Sequence, residues 1–175
     1  MTTFKKIIIV LFLLINHAQA QVASALIPSP PELSASSYLL IDANSGKIII
    51  EHNPDKRLPP ASLTKIMTSY IAANEIDRQA IEADDFASIS VKAWKMGGSK
   101  MFVREGTKVS VEDLLRGVII QSGNDASIAL AEHIAGDEDS FVEMMNQQAT
   151  LLGMKNTKFQ NSTGWPTKDH YTSSR

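Results

Sequence analysis

Two short apolar runs meet at a tight polar turn near the start of the chain, and most of the sequence C-terminal to them has helical periodicity. Residues 37–42 and 47–51, the second carrying Ile48, Ile49 and Ile50, flank Asn44-Ser45-Gly46. Apolar and β-branched runs around an Asn/Gly turn predict a hairpin. A proline-rich loop spans 53–61. Beyond it, Ile66, Met67, Tyr70 and Ile71 recur at helical spacing, so a helix is expected over 62–76. Residues 86–91 and 108–110 have the composition of brief strands. Ser110 with Asp113 resembles a capping box and predicts a helix through Ile119. Two more helices are expected, over 125–135 with Gly136 as its C-cap, and over 138–152 with Gly153 as its stop. Strands first and helices afterwards favour an α+β class over alternating βαβ units.

The first twenty residues have a different character. Lys5 and Lys6 precede an apolar run over 7–15, and Ala18-Gln19-Ala20 comes next. The pattern predicts a secretory signal peptide over 1–20, cleaved after Ala20. Its apolar run is too short to span a bilayer, which takes about twenty residues. Residues 21–36, rich in Ala, Ser and Pro, read as a leader or linker, with one modest domain or part of a larger one expected over 37–175. The chain has no cysteine, which excludes a catalytic thiol, a disulfide framework and a cysteine-type zinc site. A net charge of −2 without a basic patch argues against nucleic acid as a partner.

The chemistry concentrates in two clusters. Ser62-Leu63-Thr64-Lys65 opens the first expected helix, and Ser122-Gly123-Asn124 interrupts two later ones. On a helix, positions i and i+3 share a face, so the Lys65 amine can approach the Ser62 hydroxyl. A serine hydroxyl is a weak nucleophile until a base takes its proton, and burial can make lysine that base by disfavouring its charged form. A helix N-terminus also offers free N–H groups to a developing oxyanion. Ser122 could relay a proton and Asn124 could hold Lys65 and a substrate amide. The same residue types equally suit an N-cap serine with a solvated lysine, and caps for the next helix, and spacing alone does not choose. No His-Glu-x-x-His occurs, so a zinc hydrolase is not expected, and the scheme needs no metal and no cofactor. His52, His133 and His170 are scattered, and no Gly-x-Ser-x-Gly elbow surrounds any serine.

Residues 60–68, Pro-Ala-Ser-Leu-Thr-Lys-Ile-Met-Thr, resemble the nucleophile region of the low-molecular-mass penicillin-binding proteins, the serine D-alanyl-D-alanine carboxypeptidases. Residues 117–126, Gly-Val-Ile-Ile-Gln-Ser-Gly-Asn-Asp-Ala, resemble their second motif with its flanks. Met101-Phe102, Gly106 and the turn at 152–157 also match, so the likeness covers about 37–175. It implies the serine β-lactamase and DD-peptidase fold. It also implies Ser62 as nucleophile, Lys65 as base for acylation, and Ser122 and Asn124 in proton transfer and substrate placement. The implied substrates are peptidoglycan stem peptides ending in D-Ala-D-Ala, with β-lactams as covalent inhibitors. The implied place is the periplasm, at the outer face of the cytoplasmic membrane.

The family's third motif, Lys-Thr-Gly, has no counterpart here. Ser162-Thr163-Gly164 lacks the leading basic residue and falls too early. The chain therefore reads as the N-terminal portion of such an enzyme, with the remaining strands and the C-terminal membrane-binding region absent. Alone it is expected to have little or no peptidase activity. Two other readings stay open at this point. A serine β-lactamase shares both motifs, but no glutamate follows Glu143 to prime a deacylating water. An exported domain could also bind peptidoglycan peptides without catalysis.

Overall fold

The computed structural model describes residues 30–175; the expected signal peptide and most of the leader lie outside them. Ser36–Arg175 forms one unit. Its first element is the expected hairpin. Strand β1 (Tyr38–Ile41) pairs antiparallel with β2 (Ile48–His52), with Tyr38 opposite His52 and a bulge between Leu40 and Ile41. Asp42 closes the turn, its Oδ1 accepting from Ser45 N–H at 2.7 Å. Leu40 and Ile49 stay more than half exposed, at 53% and 61%. A lone two-stranded ribbon is marginal in water. This one is tied to residues 172–175. Leu58 bridges Thr172, and Arg175 reaches Glu51 at 2.9 Å and Asp55 at 3.0 Å.

The first helix differs from expectation in two ways. A single 3-10 turn over Ala61–Leu63 precedes helix α1 (Thr64–Asp77), so Ser62 sits ahead of the α-helix and caps nothing. The buried face also differs. Met67 and Ile71 are inside, but Ile66 is 68% exposed. Thr64, Lys65, Thr68 and Glu75 occupy the interior in its place. Apolar periodicity located the helix correctly and misplaced its inward face, because buried polar side chains share that face.

Strands β3 (Phe86–Ser88) and β4 (Lys108–Ser110) pair antiparallel as a second small sheet. Between them lies an unexpected short helix, α2 (Val91–Lys95), whose N-cap Ser90 accepts from Ala93 N–H. Ser110 caps α3 (Val111–Gln121), accepting from Asp113 N–H at 3.2 Å. The chain breaks where the sequence suggested. Ser122 takes a left-handed conformation at φ 52°, and α4 (Asn124–Ala135) starts after Gly123. Asp137 caps α5 (Glu138–Leu151), and Gly136 and Gly153 end α4 and α5 at positive φ.

Helix α4 is the hub. Residues 124–131 are all buried, as in a helix surrounded on every side. Its alanines let neighbours approach closely. One face packs with Ala72, Val111, Leu114 and Val118; the other faces Met67, Phe141, Met145 and Phe159. This two-sided core brings α1 and the start of α4 together and so fixes the distance between the two sequence clusters. Among the described residues, no helix is long and apolar enough to cross a membrane.

Candidate active site

Lys65 is the centre of the site. It is only 4% exposed, although it carries an amine. Its Nζ donates to Asn124 Oδ1 at 2.7 Å and to the Thr163 carbonyl at 2.7 Å, and it lies 3.5 Å from Ser62 Oγ. Among the described residues no carboxylate offsets the burial, which pushes Lys65 down to about 8 from the usual 10.5. A lysine in this state gives up its proton far more readily than one in water. Ser62, Lys65, Ile66, Ser69, Val118, Ile119 and Ser122 line an open cleft of about 330 Å³ over it.

The Ser62 neighbourhood is held in an uncommon backbone. Ala61 stands at φ 48°, a left-handed conformation that costs a non-glycine residue about 1–2 kcal/mol. Its carbonyl packs against Gly164, at φ 83°. Strain of this kind persists only where surrounding contacts over-determine the chain.

Asn124 is held at both ends of its amide. Its Oδ1 takes the Lys65 bond and its Nδ2 donates to Gly97 O at 2.8 Å. The neighbouring turn must come close for this. A Cβ on Gly98 would stand 2.6 Å from Asn124 Nδ2 and 3.0 Å from the Trp165 ring. Asp125, fully buried, accepts from Met101 N–H at 2.9 Å and Val103 N–H at 3.1 Å, anchoring the same segment. Ser62, Lys65 and Ser122 therefore line one cleft, and Asn124 meets the Lys65 amine beside it.

Sequence reasoning missed the back wall. Residues 156–175 read only as polar and turn-rich. In the fold, Asn161 Oδ1 accepts from the N–H groups of Thr163, Gly164 and Trp165, an Asx-type turn that aims the Thr163 carbonyl at Lys65. Thr68 Oγ1 donates to Ser162 O at 2.7 Å. The run Asn161-Ser162-Thr163-Gly164 carried the turn signal; nothing in the sequence carried its partner across 98 positions.

His170 closes this wall. It is buried, and its Nδ1 accepts from Gln160 N–H at 3.3 Å. That leaves Nε2–H to donate to Thr64 Oγ1 at 2.9 Å. Burial lowers its pKa from 6.5, so the ring is neutral in the fold. The folded value lies below the unfolded one. The stability this provides is complete above about pH 6.5 and is lost as the pH falls below it. Urea titrations at pH 7.5 and 5.0 should show a loss on acidification that is smaller in His170→Asn. An equal loss in both proteins would show that His170 does not carry it.

The D-alanyl-D-alanine carboxypeptidase model of peptidase family S11 matches residues 24–175. The chain is 41% identical over 170 residues to D-alanyl-D-alanine carboxypeptidase DacA of Escherichia coli K12, covering 94% of this chain and 42% of that one. Among solved structures, D-alanyl-D-alanine carboxypeptidase DacD from Francisella tularensis superposes with a TM-score of 0.82 at 46% identity, covering 89% of this chain and 38% of that one. Penicillin-binding protein D2 from Listeria monocytogenes, in its ampicillin-bound form, superposes at 0.74 with 26% identity, covering 84% of this chain and 59% of that one. The chain thus spans about two fifths of the length of its DacA and DacD relatives. With an α+β fold shared with penicillin-binding proteins and a family match that takes in every described residue, the chain belongs to peptidase family S11, the D-alanyl-D-alanine carboxypeptidases.

Proposed function

We propose that this chain carries the nucleophile, base and second-motif loop of a serine D-Ala-D-Ala carboxypeptidase acting on peptidoglycan stem peptides. The observation that carries the reading is the buried Lys65 amine, without an acidic partner among the described residues, beside Ser62 in an open cleft. In the reaction, neutral Lys65 takes the Ser62 proton as Oγ attacks the carbonyl between the two D-alanines. The tetrahedral intermediate collapses with cleavage of the C–N bond. The proton returns to the leaving amine, by way of Ser122, and D-alanine departs. A water then hydrolyses the serine ester. Asn124 keeps Lys65 oriented throughout, and the Nδ2–H not used by Gly97 O is its donor to the substrate. Penicillins acylate the same hydroxyl, in keeping with the ampicillin-bound relative. Export by residues 1–20, a leader over 21–36 and a catalytic portion over 37–175 belong to the same reading, as does a periplasmic site of action. Any membrane attachment is assigned to a C-terminal region beyond these residues.

The experiment is covalent labelling. The protein is incubated with a fluorescent penicillin, and the adduct is located by peptide mapping. A single adduct on Ser62 is the expected result. An adduct elsewhere, or none, would overturn the acyl-enzyme reading and leave a peptide-binding domain without catalysis.

A further inference from the structure

Glu138 is a buried carboxylate that the reaction does not use. It is 7% exposed, at the first position of α5. Its Oε1 accepts from Ser162 N–H at 2.9 Å and from Ser162 Oγ–H at 2.7 Å. Its Oε2 takes Lys92 Nζ of α2 at 2.8 Å. Burial pushes its pKa up, but the Lys92 and Ser162 donors outweigh that, and it stays ionised. Ser162 is the residue before Thr163, whose carbonyl receives the Lys65 bond. The charged groups around the cluster are Lys92, Asp137, Asp139 and Glu132; none lies on α1.

We propose that Glu138 is a positioning residue for Lys65, clamping Ser162 so that the following carbonyl stays aimed at the amine and seals it from water. The inference deepens the reading of Lys65 as the base and rests on it. α5 and α1 pack directly through Met67, Ile71, Phe141 and Met145, and the turn at 161–164 adds the polar link between them, from Glu138 through Ser162 to Thr163 and Lys65. Without the carboxylate, two donors on Ser162 are orphaned, and a buried orphan is costly enough to drive a turn to rearrange. Water then replaces the lost carbonyl as acceptor and also solvates the charged Lys65 amine, and its ordinary affinity for a proton returns.

The test reads the amine directly, with no need for turnover. Lysine side chains labelled with carbon-13 are titrated by NMR, and Lys65 is identified by the missing signal in Lys65→Arg. The midpoint for the unsubstituted protein is expected near 8. Glu138→Ala should raise it by about one pH unit, which lowers the neutral fraction at pH 7, and the rate of Ser62 acylation, about tenfold. Glu138→Gln keeps an Oε1 for both Ser162 donors and should hold the midpoint near the original. Ser162→Ala removes one donor only. It should shift the midpoint in the same direction by less, and it serves if Glu138→Ala does not fold. An unmoved midpoint in the folded alanine variants, or Gln failing as fully as Ala, would overturn the proposal. The two readings fail separately. A shifted midpoint without penicillin labelling sinks the peptidase reading alone; labelling of Ser62 with an unmoved midpoint sinks the clamp alone.

Discussion

Replacing Lys65 with methionine is expected to slow acylation of Ser62 by about 10²–10⁴-fold, the range of a positioned general base. The side chain is close in length and can fill the same space, so the loss isolates the amine. Stability should change little, because two effects oppose. Methionine relieves the burden of a buried charge with no acidic partner, which is the cause of the depressed pKa. It also strips Asn124 Oδ1 and the Thr163 carbonyl of their donor, at about 1–3 kcal/mol for each buried acceptor left without one. A melting temperature within a few degrees of the original, beside a collapse in penicillin labelling, is the expected pair of results. In the unsubstituted protein, labelling should rise with pH through about 8 as Lys65 loses its proton, and this rise should vanish in the variant. Labelling at an undiminished rate in Lys65→Met would remove Lys65 from the chemistry.

Those two acceptors also mark where sequence reading stops. The hairpin was legible because its turn chemistry is local: Asp42 reaches Ser45, three residues away. The break at Ser122 was legible because a glycine and two cap formers separate strongly apolar helices. Ser62 and Lys65 were legible as a pair at one helical turn. The inward face of α1 was not. Ile66 and Tyr70 have the right period for a core, yet they are exposed, while Thr68 and Glu75 are buried. A polar side chain is placed inside by its partner, and the partners of Lys65 and Thr68 lie at Asn124, Ser162 and Thr163. Long-range polar pairing leaves no periodic trace. Helix α2 was missed for another reason: five residues give too short a window for a period, and only the Ser90 cap announced it.

Gly164→Ala should be the most disruptive small substitution in the back wall. Gly164 stands at φ 83°, where an L side chain is strained by about 1–2 kcal/mol. A Cβ there would overlap the carbonyl of Ala61 and come within 3.0 Å of Thr64 Oγ1. The obstacle is backbone, so no rotamer change relieves it. Ala61 cannot easily retreat, since it is already left-handed and leads directly into Ser62. Overpacking in a filled interior adds about 1–3 kcal/mol. The sum, about 2–5 kcal/mol, is large beside the roughly 5–15 kcal/mol that holds a domain folded. Urea denaturation should show a lower midpoint with an unchanged slope. Where the variant remains folded, the turn yields before the helix does. Thr163 is displaced, water takes the place of its carbonyl and solvates the Lys65 amine, and the NMR midpoint rises as it does in Glu138→Ala. Ala at 164 with native stability and an unmoved Lys65 would mean that the 161–164 turn is not clamped between Ala61 and Glu138, and the account of the back wall would fall.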